Sequence, residues 1–148
     1  MTYQERTILA QLLRNIAVFA VFSWIVWRMD QQDQFAGPHG AVLIGKAILW
    51  MIAAQIVAAI LTEILAKILA AMFGDADGLG ILDERDRQAE NQGLKMHSLF
   101  FGIGFALSML ALVWGWPIPQ VFYFICLAAT LGESMSNLTK LWLYRRGF

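Results

Sequence analysis

The sequence predicts an all-α polytopic membrane protein, a bundle of four transmembrane helices with both termini in the cytoplasm, and three observations carry that prediction. First, 59% of the 148 residues are apolar and 15% charged, with a mean hydropathy of +0.58, whereas soluble domains run at about 45–50% and 25%. Second, the apolar residues gather into four blocks, each near or above the ~20 residues a helix needs to cross a ~30 Å hydrocarbon core. Third, nine of the eleven basic residues (Arg6, Arg14, Lys67, Arg85, Arg87, Lys95, Lys140, Arg145 and Arg146) fall on one side of this topology and only Arg28 and Lys46 on the other. The positive-inside rule then places both termini inside. Aromatic residues agree: Trp24, Trp27, Trp50, Trp114 and Trp116 fall at the outer level, with Tyr3, Trp142 and Tyr144 at the inner one.

The whole chain, 1–148, reads as one transmembrane domain. The first helix is expected over about 8–28, its opening turns carrying Gln11, Arg14 and Asn15 before an uninterrupted apolar run. That run is long for a signal peptide, and no small-residue cleavage site follows it. Gly37-Pro38-His39-Gly40 marks an outer turn. The second helix, about 41–73, would span ~50 Å as one rod and must tilt or emerge from the bilayer. Three glycines between Gly74 and Gly80 end it, and Asp83 stands as an N-cap for a third helix over 84–116, with acidic residues in the first turn where the helix dipole favours them. Pro117 and Pro119 mark a very short second outer turn. A fourth helix over 119–145 closes on Arg145-Arg146. The returning helix of each half carries a glutamate followed by a lysine, Glu63 with Lys67 and Glu133 with Lys140, which fits either a parallel duplication or chance.

Charges inside lipid are costly and mark functional candidates. Arg14, Glu63 and Glu133 all fall in the cytoplasmic half of the span, with Asn15, Thr62, Ser134 and Asn137 at neighbouring depths and His97 where the third helix enters the membrane. A polar cluster of Arg14, Asn15, Glu63, His97, Glu133 and Asn137 is therefore expected, serving either to lock helix register or to exchange protons. An i, i+4 pair of Glu63 with Lys67 is the competing role for that glutamate. Small residues at four-residue spacing, namely Ala54 and Ala58, Gly102 and Ala106, and Ala128, Gly132 and Ser136, offer close helix contacts within the bundle or a homodimer.

No cofactor and no metal are expected. His39 and His97 stand about a membrane thickness apart, and Met96 and His97 are adjacent and cannot face one site. Asp75 to Asp86 follows the calcium-loop pattern incompletely, with Leu79 at the fifth position and a short aspartate at the twelfth. No phosphate loop, Ser/His/Asp set or zinc spacing is present, which argues against an enzyme. Zero formal net charge leaves no basic footprint for direct nucleic-acid binding. The single cysteine, Cys126, permits no internal disulfide.

Asp83-Glu84-Arg85-Asp86, a polar helical turn, a membrane hairpin with a glutamate in its last helix, and Tyr144-Arg145-Arg146-Gly147 together resemble a family of small four-helix membrane proteins of bacteria and archaea catalogued as a domain of unknown function. The resemblance covers about 82–148. Gly132 stands where the family usually has alanine, and its lysine after the glutamate is displaced to Lys140. The resemblance implies no reaction, and a setting beside small helix-turn-helix regulators. On that basis Asp83, Glu84, Arg85, Asp86, Tyr144, Arg145 and Arg146 would form a cytoplasmic face of mixed charge that holds a soluble partner. The expected function is a non-enzymatic regulatory or scaffolding membrane protein; the alternative is a small dimeric proton-coupled transporter using its membrane glutamates.

Overall fold

A computed structural model describes residues 3–72 and 84–146, and among them stand four helices: α1 (Tyr3–Gln31), α2 (Gly40–Met72), α3 (Glu84–Val113) and α4 (Ile118–Arg146). All four are long and apolar enough to cross a membrane. At 1.5 Å per residue they run about 44–50 Å, each longer than a ~30 Å hydrocarbon core is thick. Phe73, the glycine-rich run Gly74 to Gly80, the calcium-like pattern from Asp75 and the cap Asp83 lie outside the described residues.

Contacts set an antiparallel order. Gln4 meets Asp86, Asn15 meets Gln55, and Ser23 meets Tyr123. The termini of α1 and α4 therefore share one end of the bundle, and the α1–α2 and α3–α4 turns share the other. α3 and α4 form the tightest pair, α1 packs between α4 and α2, and α2 leans chiefly on α1.

Both turns use the same device. After α1, Gln34 N–H donates to Met29 C=O and Asp33 N–H to Asp30 C=O, with Asp33 at φ 53. After α3, Trp116 N–H donates to Ala111 C=O and Gly115 N–H to Leu112 C=O, with Gly115 at φ 80. Each is a Schellman ending, which satisfies orphan carbonyls by turning one residue left-handed. α3 thus stops at Val113 rather than at 116, because Gly115 ends it before the prolines are reached. Pro117 C=O then accepts from Gln120 and Val121 to start α4. Gly115→Ala is expected to destabilise the bundle by about 1 kcal/mol through left-handed strain, as a lowered thermal midpoint in detergent.

The surface pattern is inverted relative to a soluble protein. Trp50, Val113 and Trp114 are at least three-quarters exposed, while Asn15, Asp86, Ser108, Ser136 and Asn137 are buried. In α2 no residue of the most apolar window is buried. An apolar exterior of this extent suits a hydrocarbon solvent. The apolar core, Phe22, Ile44 and Cys126 with Phe19, Phe35, Met51 and Tyr123 around them, sits toward the turn end between α1, α2 and α4. Tyr123 stacks on Phe22 at 6.1 Å between ring centroids.

Candidate functional site

The α3–α4 seam positions the most concentrated polar chemistry in the described residues. Its helices approach closely because small residues face each other: a Cβ on Gly104 would strike the Ala128 side chain, and one on Gly132 would lie 2.9 Å from the His97 carbonyl oxygen. The seam glycines of α3 are therefore Gly104, with Ser108 a turn later, and Gly93 nearer the terminal end. Gly102, expected at this contact, has open space where a side chain would be, and Ala106 and Ala54 are exposed. On α4 the expected Ala128, Gly132 and Ser136 are all buried.

Toward the terminal end the same seam opens into a notch of about 340 Å³ lined by Glu90, Asn91, Leu94, His97, Glu133, Ser136 and Lys140. Residues 90, 94 and 97 share a face of α3, and 133, 136 and 140 share one of α4, at helical spacing. Lys140 lies across Gly93, where a Cβ would meet its side chain at 2.8 Å, and reaches Glu90 at 4.0 Å. His97 lies across Gly132, stacks on Phe101 and brings Nδ1 to 3.5 Å from Glu133 Oε2. That nitrogen is buried and makes no hydrogen bond. The notch thus sets two cationic or protonatable groups against two carboxylates, an arrangement able to receive a polar group of either sign or to pass a proton between imidazole and carboxylate after a small closure.

Of the six residues expected to cluster, His97 and Glu133 are in contact and Glu63 is engaged elsewhere. Glu63 is exposed on α2 and pairs with Lys67 at 3.7 Å, which is its competing i, i+4 role. Asn15 is buried, and its Oδ1 accepts from Gln55 Nε2 at 2.9 Å, while Arg14 beside it has a buried Nε with no partner. Asn137 is 1% exposed with neither amide atom hydrogen-bonded. Thr62 and Ser134 donate to Ala58 and Thr130 carbonyls of their own helices, so neither joins a cluster.

The expected partner face is corrected in the same way. Asp86 is 5% exposed, and its two oxygens accept from Tyr144 Oη at 2.6 Å and Gln4 Nε2 at 2.7 Å. The two ends of the Asp83-to-Asp86 and Tyr144-to-Gly147 motifs therefore bind each other, and Asp86 and Tyr144 tie α3, α4 and α1 together rather than facing outward. Glu84, Arg145 and Arg146 are exposed, with Arg146 over the Trp142 ring at 4.3 Å. Arg85 lies in the first turn of α3. Sequence reasoning passed over Gln4, Gln55 and Glu90; the signal present was a polar side chain facing another at matching helix depth. Among the described residues no group of three or more His, Cys, Asp or Glu is placed to hold a metal. No family model, curated protein or solved structure matches the chain.

Proposed function

We propose that the chain is a multi-pass protein of a prokaryotic inner membrane, with both termini cytoplasmic, that has no catalytic chemistry and acts as a regulatory or scaffolding partner of a soluble protein. A small helix-turn-helix regulator is the partner class that the motif resemblance suggests. One observation supports this reading above the rest: the buried Asp86 ties three helix ends together, and Glu84, Arg87, Arg145 and Arg146 are exposed around it. A charged surface held in fixed geometry binds a complementary partner without first paying to order itself. The inverted surface supports membrane residence, and the basic residues at the terminal end support the orientation.

The test begins with the tagged protein drawn from native membranes in mild detergent and weighed intact by native mass spectrometry. A stoichiometric soluble protein is expected, lost from both Arg145→Glu and Arg146→Glu while the thermal midpoint stays within a degree or two. Retention of the partner by both variants overturns the reading. Alkaline phosphatase fused after Phe148 should be inactive, and inserted at Gln34 active; the opposite pattern reverses the orientation.

A second reading, a proton-coupled transporter working as a homodimer, draws on the His97–Glu133 contact. Glu63, with its carboxylate on Lys67, contributes nothing to that pair, so the weight rests on Glu133. Transport or resistance unchanged in Glu133→Gln would end it.

A further inference from the structure

At the end opposite the charged platform, a cavity of about 270 Å³ opens between α1 and α4, and its walls include four aromatic side chains, Trp27, Phe35, Tyr123 and Phe124, with Asp30 and Gln120. We infer that this cavity binds a small quaternary ammonium group. Aromatic rings attract a cation through the negative charge of their faces, and an alkylated ammonium, weakly hydrated, gives up little water on entering such a box.

Charge selects a cation over a neutral guest. Asp30 is the only charged residue in the lining, and none of the described lysines or arginines joins it there. Arg28, its neighbour in sequence, is drawn to the Trp24 ring at 5.0 Å, and neither Arg28 nor Trp24 lines the cavity. No ion pair to Asp30 is formed among the described residues.

Aromatic walls select an alkylated cation over a metal ion, and three of them, Tyr123, Phe124 and Phe35, are held in place before any ligand arrives, with the exposed Trp27 closing the fourth side. Tyr123 Oη donates to Ser23 Oγ at 3.1 Å, and its ring packs against Phe19 and Phe22. Phe124 meets Tyr123 edge-on at 69° and leans on Trp116 with 5.6 Å between centroids. Phe35 is packed against the apolar core. Its loop is fixed by a close approach that only glycine allows, since a Cβ on Gly40 would lie 2.5 Å from the Phe35 carbonyl oxygen. The volume is just below the usual range of about 300–1,000 Å³ for ligand pockets, which suits a head group and excludes a drug-sized molecule. The larger groove between α1 and α2 differs in kind: Lys46 at its edge is the one charged residue in an otherwise apolar lining, with no carboxylate to select a cation.

Choline is the probe, titrated into the full-length protein in a maltoside detergent and followed by calorimetry and tryptophan fluorescence. The controls are 3,3-dimethylbutan-1-ol, its uncharged carbon isostere, and potassium chloride at equal ionic strength. One saturable choline site per chain is expected, with the isostere at least about tenfold weaker, equivalent to about 1.4 kcal/mol. Asp30→Asn should weaken choline by about tenfold and Trp27→Ala by about fivefold, with Trp27→Phe restoring most of the loss, in line with a cation–π contribution of about 1 kcal/mol. Asp30 is exposed, so its variant keeps the fold. A non-saturating signal, equal binding of the isostere, or an unchanged Asp30→Asn affinity overturns the inference. Nanodiscs then separate two sources of the same chemistry. Loss of choline binding in phosphatidylcholine discs, but not phosphatidylglycerol discs, identifies a lipid head group; equal binding in both identifies a free solute.

Discussion

Asp86→Ala is expected to destabilise the bundle by about 2–3 kcal/mol, because it removes a buried carboxylate and leaves the partly buried Tyr144 hydroxyl and Gln4 amide without their acceptor. The loss is shared among three helices, so it should appear as a lower unfolding midpoint together with faster proteolysis near both ends of the chain. Asp86→Asn should cost less, since its amide oxygen still accepts from Gln4 and its NH₂ donates to the Tyr144 oxygen. The cycle with Tyr144→Phe separates a latch from two independent contacts. If the hydroxyl acts through Asp86, Tyr144→Phe costs about 1–2 kcal/mol in the native chain and little in Asp86→Ala. Additive losses would show that the two residues do not work as a pair.

Gly104→Ala carries the second large effect. Its new methyl group would overlap the Ala128 side chain, and the Ala128 Cα at 3.3 Å leaves no room for retreat. Helices α3 and α4 must part, at a cost of about 2–3 kcal/mol, equivalent to a midpoint lowered by roughly 6–10 °C in a chain of this size. Ala128→Gly in the same chain removes the obstructing methyl and should recover most of that loss. Gly102→Ala, two residues away, should be nearly silent, because nothing lies within 4 Å of the position its side chain would take. Equal losses at 102 and 104 would mean that α3 presents a different face to α4.

Much of the helical framework was legible in the chain. The four helices and the turn positions follow from local quantities, the run of apolar residues and the glycine or proline that stops it, whereas the polar first turns of α1 (Tyr3–Gln31) lie outside the apolar run expected over 8–28. The prolines are the louder signal for the end of α3 and point to 116, while the Schellman ending at Gly115 acts first and stops the helix at Val113. The candidate site was less legible. Equal depth placed Arg14, Glu63 and Glu133 together on paper, yet depth is one coordinate of a helix and azimuth is another.

Azimuth is what tertiary structure alone decided. Gly102 and Gly104 sit about 200° apart around α3 at ~100° per residue, and nothing local says which one meets Ala128. In a water-soluble helix a polar face marks the exterior. Here α2 is apolar all round and carries its Glu63–Lys67 pair outside, while Asn137 and Asp86 are enclosed. Hydrocarbon and protein interior are similar solvents to a leucine, so apolar pattern cannot tell one from the other. Sequence by itself therefore determined how many helices there are and roughly where the turns fall, while α1 extends to Tyr3–Gln31 beyond the expected 8–28. Only packing, through which small residues let two backbones approach, determined that Asp86 locks inward and that His97 meets Glu133.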